Sequence, residues 1–327
     1  MGAISEDDLI SRFFAPIAGP GALGLKDDAA CLTPPPGCDL IATKDALVAG
    51  VHFFPDDPPE AIARKALRVN VSDLAAKGAD PLGFLLALAL PIGVEASWIE
   101  RFARGLGEDA ARWGIALLGG DTVKTPGPAM VSLTTLGTAP TGRMVARTGV
   151  RAGDLIFVSG TIGDAALGLQ VRLTPQRFAG LGEDARAHLL ARYLDPQPRL
   201  ALAHALRAHA SAGMDVSDGL VGDLTKMLKA SGVSARVRLG DAPLSDAARQ
   251  AVAMEAALFE TAMTGGDDYE LLVACAPGKA AALQADALAA GAPLTLIGEA
   301  VAGTGPPRFT GADGGEITFA RGSFSHF

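Results

Sequence analysis

Aspartate recurs along this chain beside glycine, serine or threonine. The segments are Asp27-Asp28 in GLKDDAA, Asp45 in ATKDALVAGVHF, Asp73 in NVSDLAAKGADP, Asp121 in LLGGDT, Asp215 and Asp218 in MDVSDGL, and Asp267-Asp268 in TGGDDYELL. Each of them taken alone reads as a helix N-cap, because a turn ending in Asp or Ser supplies the oxygen that the first helical N–H groups need. Their recurrence points to chemistry. Glycine beside a carboxylate lets the backbone approach a ligand closely, and carboxylates with open neighbours suit hard, oxygen-seeking cations such as Mg²⁺. The pattern describes a multi-carboxylate site for Mg²⁺ and phosphate.

Competing chemistries are weaker. Gly19-Pro-Gly-Ala-Leu-Gly24 matches GxGxxG in form, but LKDDAACL follows it without a helical period, so it reads as a surface turn. No GxxxxGK[ST] occurs, so ATP would not sit in a Walker loop. His188, His204 and His209 lie in an arginine-rich helical stretch without metal-ligand spacing, and neither HExxH nor GxSxG is present. Acidic residues outnumber basic ones 36 to 28 for a net charge of -8, which argues against nucleic acid as a partner. Acids outside the site are expected on a solvated surface. Cys31, Cys38 and Cys275 form no CxxC pair and fit a reduced, cytoplasmic compartment. The greasiest run, Pro81 to Val94, is interrupted by Pro and Gly and too short for a membrane span; it reads as a buried strand.

The elements that must carry these residues follow from periodicity. Strands are expected at 39–43, from Pro81, at 115–118 and at 130–136, with helices over 59–79 and 95–113. Glycine-rich punctuation at 137–142 and 149–154 marks a domain boundary near residue 145. Beyond it come a strand at 155–159, helices at 163–172, 184–193 and 197–211, a short segment at 214–216 and a helix from Asp218. Strands at 233–239, 270–276 and 294–298 complete the reading. The expected class is α/β (α+β), with domains at 1–145 and 146–327.

In this order, GLKDDAA, TKDALVAGVHF, NVSDLAAKGADP, GGDT, ARTGVRAGD, VSGTIGDAALGL, DVSDGL and GGDDYELL resemble the thiamine-monophosphate kinase family. That family lies in the superfamily of aminoimidazole ribonucleotide synthetase and selenophosphate synthetase. The resemblance runs from about Asp7 to the terminal GSFSHF. VAGVHF, GGDDYELL and the terminal aromatic-x-His-Phe point to the thiamine-phosphate branch.

The resemblance implies transfer of the ATP γ-phosphoryl group to thiamine monophosphate, with several Mg²⁺ ions. It implies a homodimer pairing the sheets of its N-terminal domains and an active site between the two domains of a chain. It further implies that Asp28, Thr43, Asp45, Asp73, Asp121, Asp215 and Asp218 bind metal, and that Gly120, Asp121, Arg147 and Ser217 contact ATP. His52, Asp267 and Phe324 match substrate positions, and Asp27 matches a neighbour of the first metal ligand.

Physical chemistry is compatible with these roles. Phosphoryl transfer is mainly positioning and charge neutralisation, and a phosphate oxygen needs no general base. His52, after a glycine turn, suits donation to the acceptor phosphate or a structural role at a strand end. Phe324 suits stacking on the substrate or plugging a core. Two residues depart from the family pattern. Lys44 stands where a hydroxyl is usual, to contact phosphate or displace one Mg²⁺, and Asp267 replaces a Glu with a carboxylate one methylene shorter. Other ATP-dependent synthetases of the superfamily and a non-catalytic nucleotide-binding relative are the alternatives. Selenophosphate synthesis is disfavoured because no Cys precedes the first Asp segment in the expected position. The hydrogenase-maturation relative is disfavoured because the chain ends in SHF without a terminal Cys.

Overall fold

The computed structural model describes residues 5–319, 322 and 323. The chain divides into two compact units, residues 1–74 with 79–142 and residues 75–78 with 143–327.

The first unit opens with α1 (Glu6–Leu9) and further helical turns to Leu25, followed by β1 (Cys38–Val48), α2 (Pro59–Ala76) and β2 (Asp80–Pro91). It closes with α3 (Ala96–Trp113), β3 (Ala116–Thr125) and β4 (Met130–Pro140). The strands form one mixed sheet in the order β1-β4-β2-β3, in which only β2 and β3 run parallel, joined by the α3 crossover. Gly114, with φ of 61°, stops α3: its N–H caps the carbonyls of Ala110 and Ala111 in a left-handed conformation open to glycine. Helix α2 covers the sheet face that carries Thr43, Leu133 and Gly137, where a side chain at Gly137 would strike Leu74.

The second unit contains β5 (Leu155–Ser159), α4 (Asp164–Leu173), α5 (Glu183–Leu194), α6 (Ala203–His209), β6 (Ala210–Val216) and α7 (Leu220–Ser231). It continues through β7 (Ser234–Arg238), α8 (Asp246–Met254), α9 (Leu258–Thr264), β8 (Glu270–Cys275), α10 (Pro277–Ala289), β9 (Leu294–Val301), β10 (Arg308–Thr310) and β11 (Glu316–Ile317). Its mixed sheet is ordered β11-β10-β7-β9-β5-β8-β6. Because side chains alternate along a strand, Ile156, Val158 and Leu272 enter one core while Phe157, Leu271 and Val273 enter another. Apolar residues of α4, α5, α7, α8 and α9 fill the first, and those of α6 and α10 fill the second. Burial on both faces is why these strands read as unbroken apolar runs.

Two sequence expectations change. The helix expected over 197–211 ends at His209, and Ala210–Val216 is strand β6, paired antiparallel with β8. Its small residues carry no helical or strand period, so tertiary pairing decides the outcome. The Gly19–Gly24 segment is not a free surface turn. Ala18 bridges Leu117, Gly19 N–H donates to Leu117 O, and a side chain at Gly19 would collide with Ala116.

Candidate active site

In the first unit a cavity of about 590 Å³ is lined by Asp27, Asp28, Lys44, Gly120, Asp121 and Ser132, among others. Strand period explains how these meet. Lys44 pairs across the ladder with Thr134, which pairs with Leu85; Ser132 pairs with Ala87, which pairs with Asp121. Directly opposed residues share a face, so Lys44 and Asp121 project from the face opposite α2. The Lys44 ammonium donates to Ser132 Oγ at 2.8 Å, and Ser132 in turn donates to Asp45 O at 3.0 Å.

The GGDT segment is shaped by a bulge. Phe84 pairs with Leu117 but Leu85 with Gly119, which leaves Leu118 as the extra residue in β3. There the β3 backbone runs so close to β2 that a Cβ on Gly120 would stand 1.9 Å from Leu86 O. Glycine is therefore obligatory immediately before Asp121. The capping explanation fails for three of the aspartates: Asp45 and Asp121 lie inside strands and Asp73 inside α2.

Thr43 and Asp45 project from the α2-covered face, since consecutive strand residues alternate. Thr43 Oγ1 donates to the Asp73 carboxylate. The candidates in this unit thus fall into two sets, Thr43, Asp45 and Asp73 on one face and Asp27, Asp28, Lys44 and Asp121 on the other. His52 sits in the turn after β1, where its Nδ1 accepts the Val48 N–H at 3.0 Å. That bond places the proton of the neutral ring on Nε2, a donor. Lys65, buried, anchors the turn through His52 O at 3.0 Å.

In the second unit, Asp215 lies buried in β6, and the loop carrying Ser217 and Asp218 leads into α7. Asp223, in the first turn of α7, accepts the N–H groups of Ser217 and Asp218 on one oxygen at 2.9 and 2.8 Å. The Lys226 ammonium reaches Asp218 at 2.5 Å and Asp223 at 2.9 Å. Burial pushes the Asp223 carboxyl above its ordinary range, against the pull of Lys226. Asp267 occupies the left-handed region with φ of 74°, as does Tyr269 at 51°. Its N–H donates to Ser217 O at 2.9 Å, and Tyr269 N–H to Val216 O at 2.8 Å, which stitches the two loops together. Arg147 is exposed, and its carbonyl accepts Ser231 Oγ at 3.2 Å. Phe324 lies outside the described residues.

Beneath these loops lie Asp268, which the sequence counts among the recurring carboxylates of a Mg²⁺–phosphate site but which has a structural role, and Glu270, to which the sequence assigns none. Asp268 is buried and accepts the N–H groups of Gly163 at 2.7 Å and Ala165 at 3.3 Å, and burial holds its carboxyl well above the usual range. Glu270, also buried, is gripped by Arg192 at 2.9 Å, by Arg199 at 2.5 Å and by Ser159 at 2.6 Å. Asp267 and Tyr269 lie in the left-handed region ahead of β8, so strand alternation gives no rule here and no residue-type signal marks Asp268 as an acceptor for loop N–H groups.

Among the described residues, no three His, Cys, Asp or Glu side chains form a group arranged to hold a metal ion. The paired carboxylates and hydroxyl that are present fit Mg²⁺ nonetheless. Mg²⁺ dehydrates reluctantly and takes one or two carboxylates together with phosphate oxygens rather than an all-protein cage.

Comparison with known proteins adds to this geometry. Residues 26–139 match the AIR synthase related protein N-terminal domain, and residues 151–307 match the C-terminal domain of the same family. The thiamine-monophosphate kinase of Caulobacter vibrioides is 47% identical over 308 residues, covering 92% of this chain and 85% of that one. The crystal structure of thiamine-monophosphate kinase from Stenotrophomonas maltophilia superposes with a TM-score of 0.80 at 38% identity, covering 90% and 91% of the two chains. The structure of AaThiL complexed with AMPPCP and TMP gives 0.78 at 30% identity, covering 98% and 94%.

Proposed function

This chain belongs to the thiamine-monophosphate kinase family and phosphorylates thiamine monophosphate with ATP, and we propose that it does so by in-line transfer assisted by Mg²⁺. The observation that carries the mechanism is the β3 bulge, which presents Gly120 and Asp121 at a cavity also lined by Asp27, Asp28 and Lys44.

Gly120, Asp121, Arg147 and Ser217 hold the nucleotide in this reading. Glycine allows close backbone approach, and the Arg147 guanidinium offers a bidentate contact to phosphate. Asp28, Thr43, Asp45, Asp73, Asp121, Asp215 and Asp218 would hold Mg²⁺. When bound, Mg²⁺ neutralises the charge on the phosphate oxygens and aligns them. The substrate phosphate is its own nucleophile, so no side chain takes a proton. His52 orients that phosphate through Nε2–H, because Nδ1 is engaged by Val48. Asp267 and Phe324 contact the remainder of the substrate, and Asp27 supports Asp28. Lys44 adds a positive charge to a cavity rich in carboxylates, which suits a phosphate contact.

We further read the enzyme as a cytoplasmic homodimer whose first units pair through the sheet face opposite α2. No helix among the described residues is long and apolar enough to cross a membrane. The test is purified protein with ATP, Mg²⁺ and thiamine monophosphate. Thiamine diphosphate should form and chelation should stop it. Turnover of another acceptor with no thiamine diphosphate would overturn the reading.

A further inference from the structure

We propose that Asp223 is a positioning residue for nucleotide binding, the brace that sets the Ser217–Asp218 backbone and, through it, the Asp267 loop. The proposal rests on reading Ser217 and Asp218 as nucleotide and metal residues.

Helix α7 has no side-chain cap at its N-terminus. The residue before α7 is Gly219, with φ of 106°, and the loop ahead of it presents the Ser217 and Asp218 N–H groups outside the helix ladder. Those groups need a partner, because a buried unpaired donor is costly. Asp223, 1% exposed, supplies it from within the helix. Both loop N–H groups converge on its Oδ2, while Oδ1 takes the Lys226 ammonium. The carboxylate also lies in the first turn, where the helix dipole favours negative charge.

The loop so held has no slack. A Cβ on Gly219 would stand 2.6 Å from the Thr264 backbone, and one on Gly266 would stand 2.3 Å from Ser217 O. On the far side, Ser217 O receives the Asp267 N–H. A shift of Ser217 is therefore transmitted to Asp267, already in the left-handed region. Asp223 touches the backbone of Ser217 and Asp218, so its influence on ligands passes through them.

Substitutions separate geometry from charge. Asp223→Asn loses the charge and keeps an oxygen for both N–H groups, while its amide nitrogen gives up the Lys226 contact, leaving that ammonium to Asp218. Asp223→Glu keeps the charge and moves the oxygens by a methylene. Asp223→Ala removes the acceptor. Calorimetry of AMPPCP binding with Mg²⁺, together with KM for ATP, gives the readout, and thermal unfolding reports the folded fraction. Asn should stay within about threefold of the parent Kd, while Glu and Ala weaken binding about tenfold, the scale of one or two lost hydrogen bonds.

Parent-like affinity in a folded Glu or Ala variant overturns the brace, as does an Asn variant as weak as Glu. Should Ala not fold, the contrast between Glu and Asn decides. A parent protein that binds AMPPCP yet makes no thiamine diphosphate refutes the kinase reading while leaving the brace to the binding series. One that fails to bind AMPPCP refutes both.

Discussion

The clearest consequence at the scale of single residues concerns aspartates that are not caps. Asp45 and Asp121 sit inside strands, where Asp is disfavoured unless something beyond the backbone requires it. Replacing either with Asn preserves shape and removes the charge that would meet Mg²⁺. Turnover should fall by about a hundredfold or more, with unfolding temperature nearly unchanged; steady-state kinetics of a variant at parent rate would remove it from the ligand set. The carboxylate segments were legible because Asp recurs in them near glycine, serine or threonine. The division of the first-unit candidates between two sheet faces was not, because motifs are read linearly whereas a strand sends alternate residues to opposite sides. The structural roles of Asp223 and Asp268 escaped for a related reason. Their partners are backbone N–H groups of loops, which leave no mark in residue type.

Elements must hold these residues still, and in the first unit two helices are joined by charge. Arg68 of α2 and Asp109 of α3, both buried, form a two-bond pair at 2.5 and 3.0 Å. Nearer solvent, Glu60 accepts from Arg101 at 2.9 Å and Arg104 at 2.5 Å. The Arg101 hydrogen bond, with help from Arg104, lowers the Glu60 pKa to about 2 from an ordinary 4.5. A depressed carboxyl pKa means that the folded state binds fewer protons than the unfolded one. The stabilisation is present above about pH 4.5 and disappears as pH falls through about 2. Glu60→Gln should therefore lower the melting temperature by about 1–3 °C at pH 7, since the arginines are half exposed and screened. The gap should close at low pH. A gap that persists unchanged to pH 2 would assign the effect to packing. Most elements were legible from periodicity, including β5 and α3 nearly to the residue. The exceptions include β6, whose small residues carry no pattern, the short β10 and β11, which were not expected, and the second half of β3, which runs past the apolar 115–118 to Thr125.

For the whole molecule the question is what its acidic excess does. The expectation that acids outside the site are solvated fails for Asp109, Asp164, Asp223, Asp268 and Glu270, all buried. They serve as acceptors for arginine, lysine, hydroxyl and loop N–H groups, which rigidifies the scaffold of a phosphate-handling enzyme. Buried ionic pairs are read from contacts, so composition could not reveal them. Composition also concealed an apolar surface. Leu40, Leu85 and Val123 are 50%, 41% and 47% exposed, and the ladder pairings align them with Ala42, Ala46 and Ala87 on the sheet face opposite α2. A chain of net charge -8 would repel its own copies, so association needs a face such as this one, where aliphatic burial outweighs the repulsion. In a two-fold pairing each substitution is presented twice, once from each copy. Leu40→Glu would then place two carboxylates in a desolvated contact while costing the isolated fold little, because Leu40 is exposed. Sedimentation should show two chains for the parent and one for the variant, which stays folded but unfolds at a temperature no longer dependent on protein concentration. A dimeric Leu40→Glu, or a monomeric parent, would remove this face as the site of pairing.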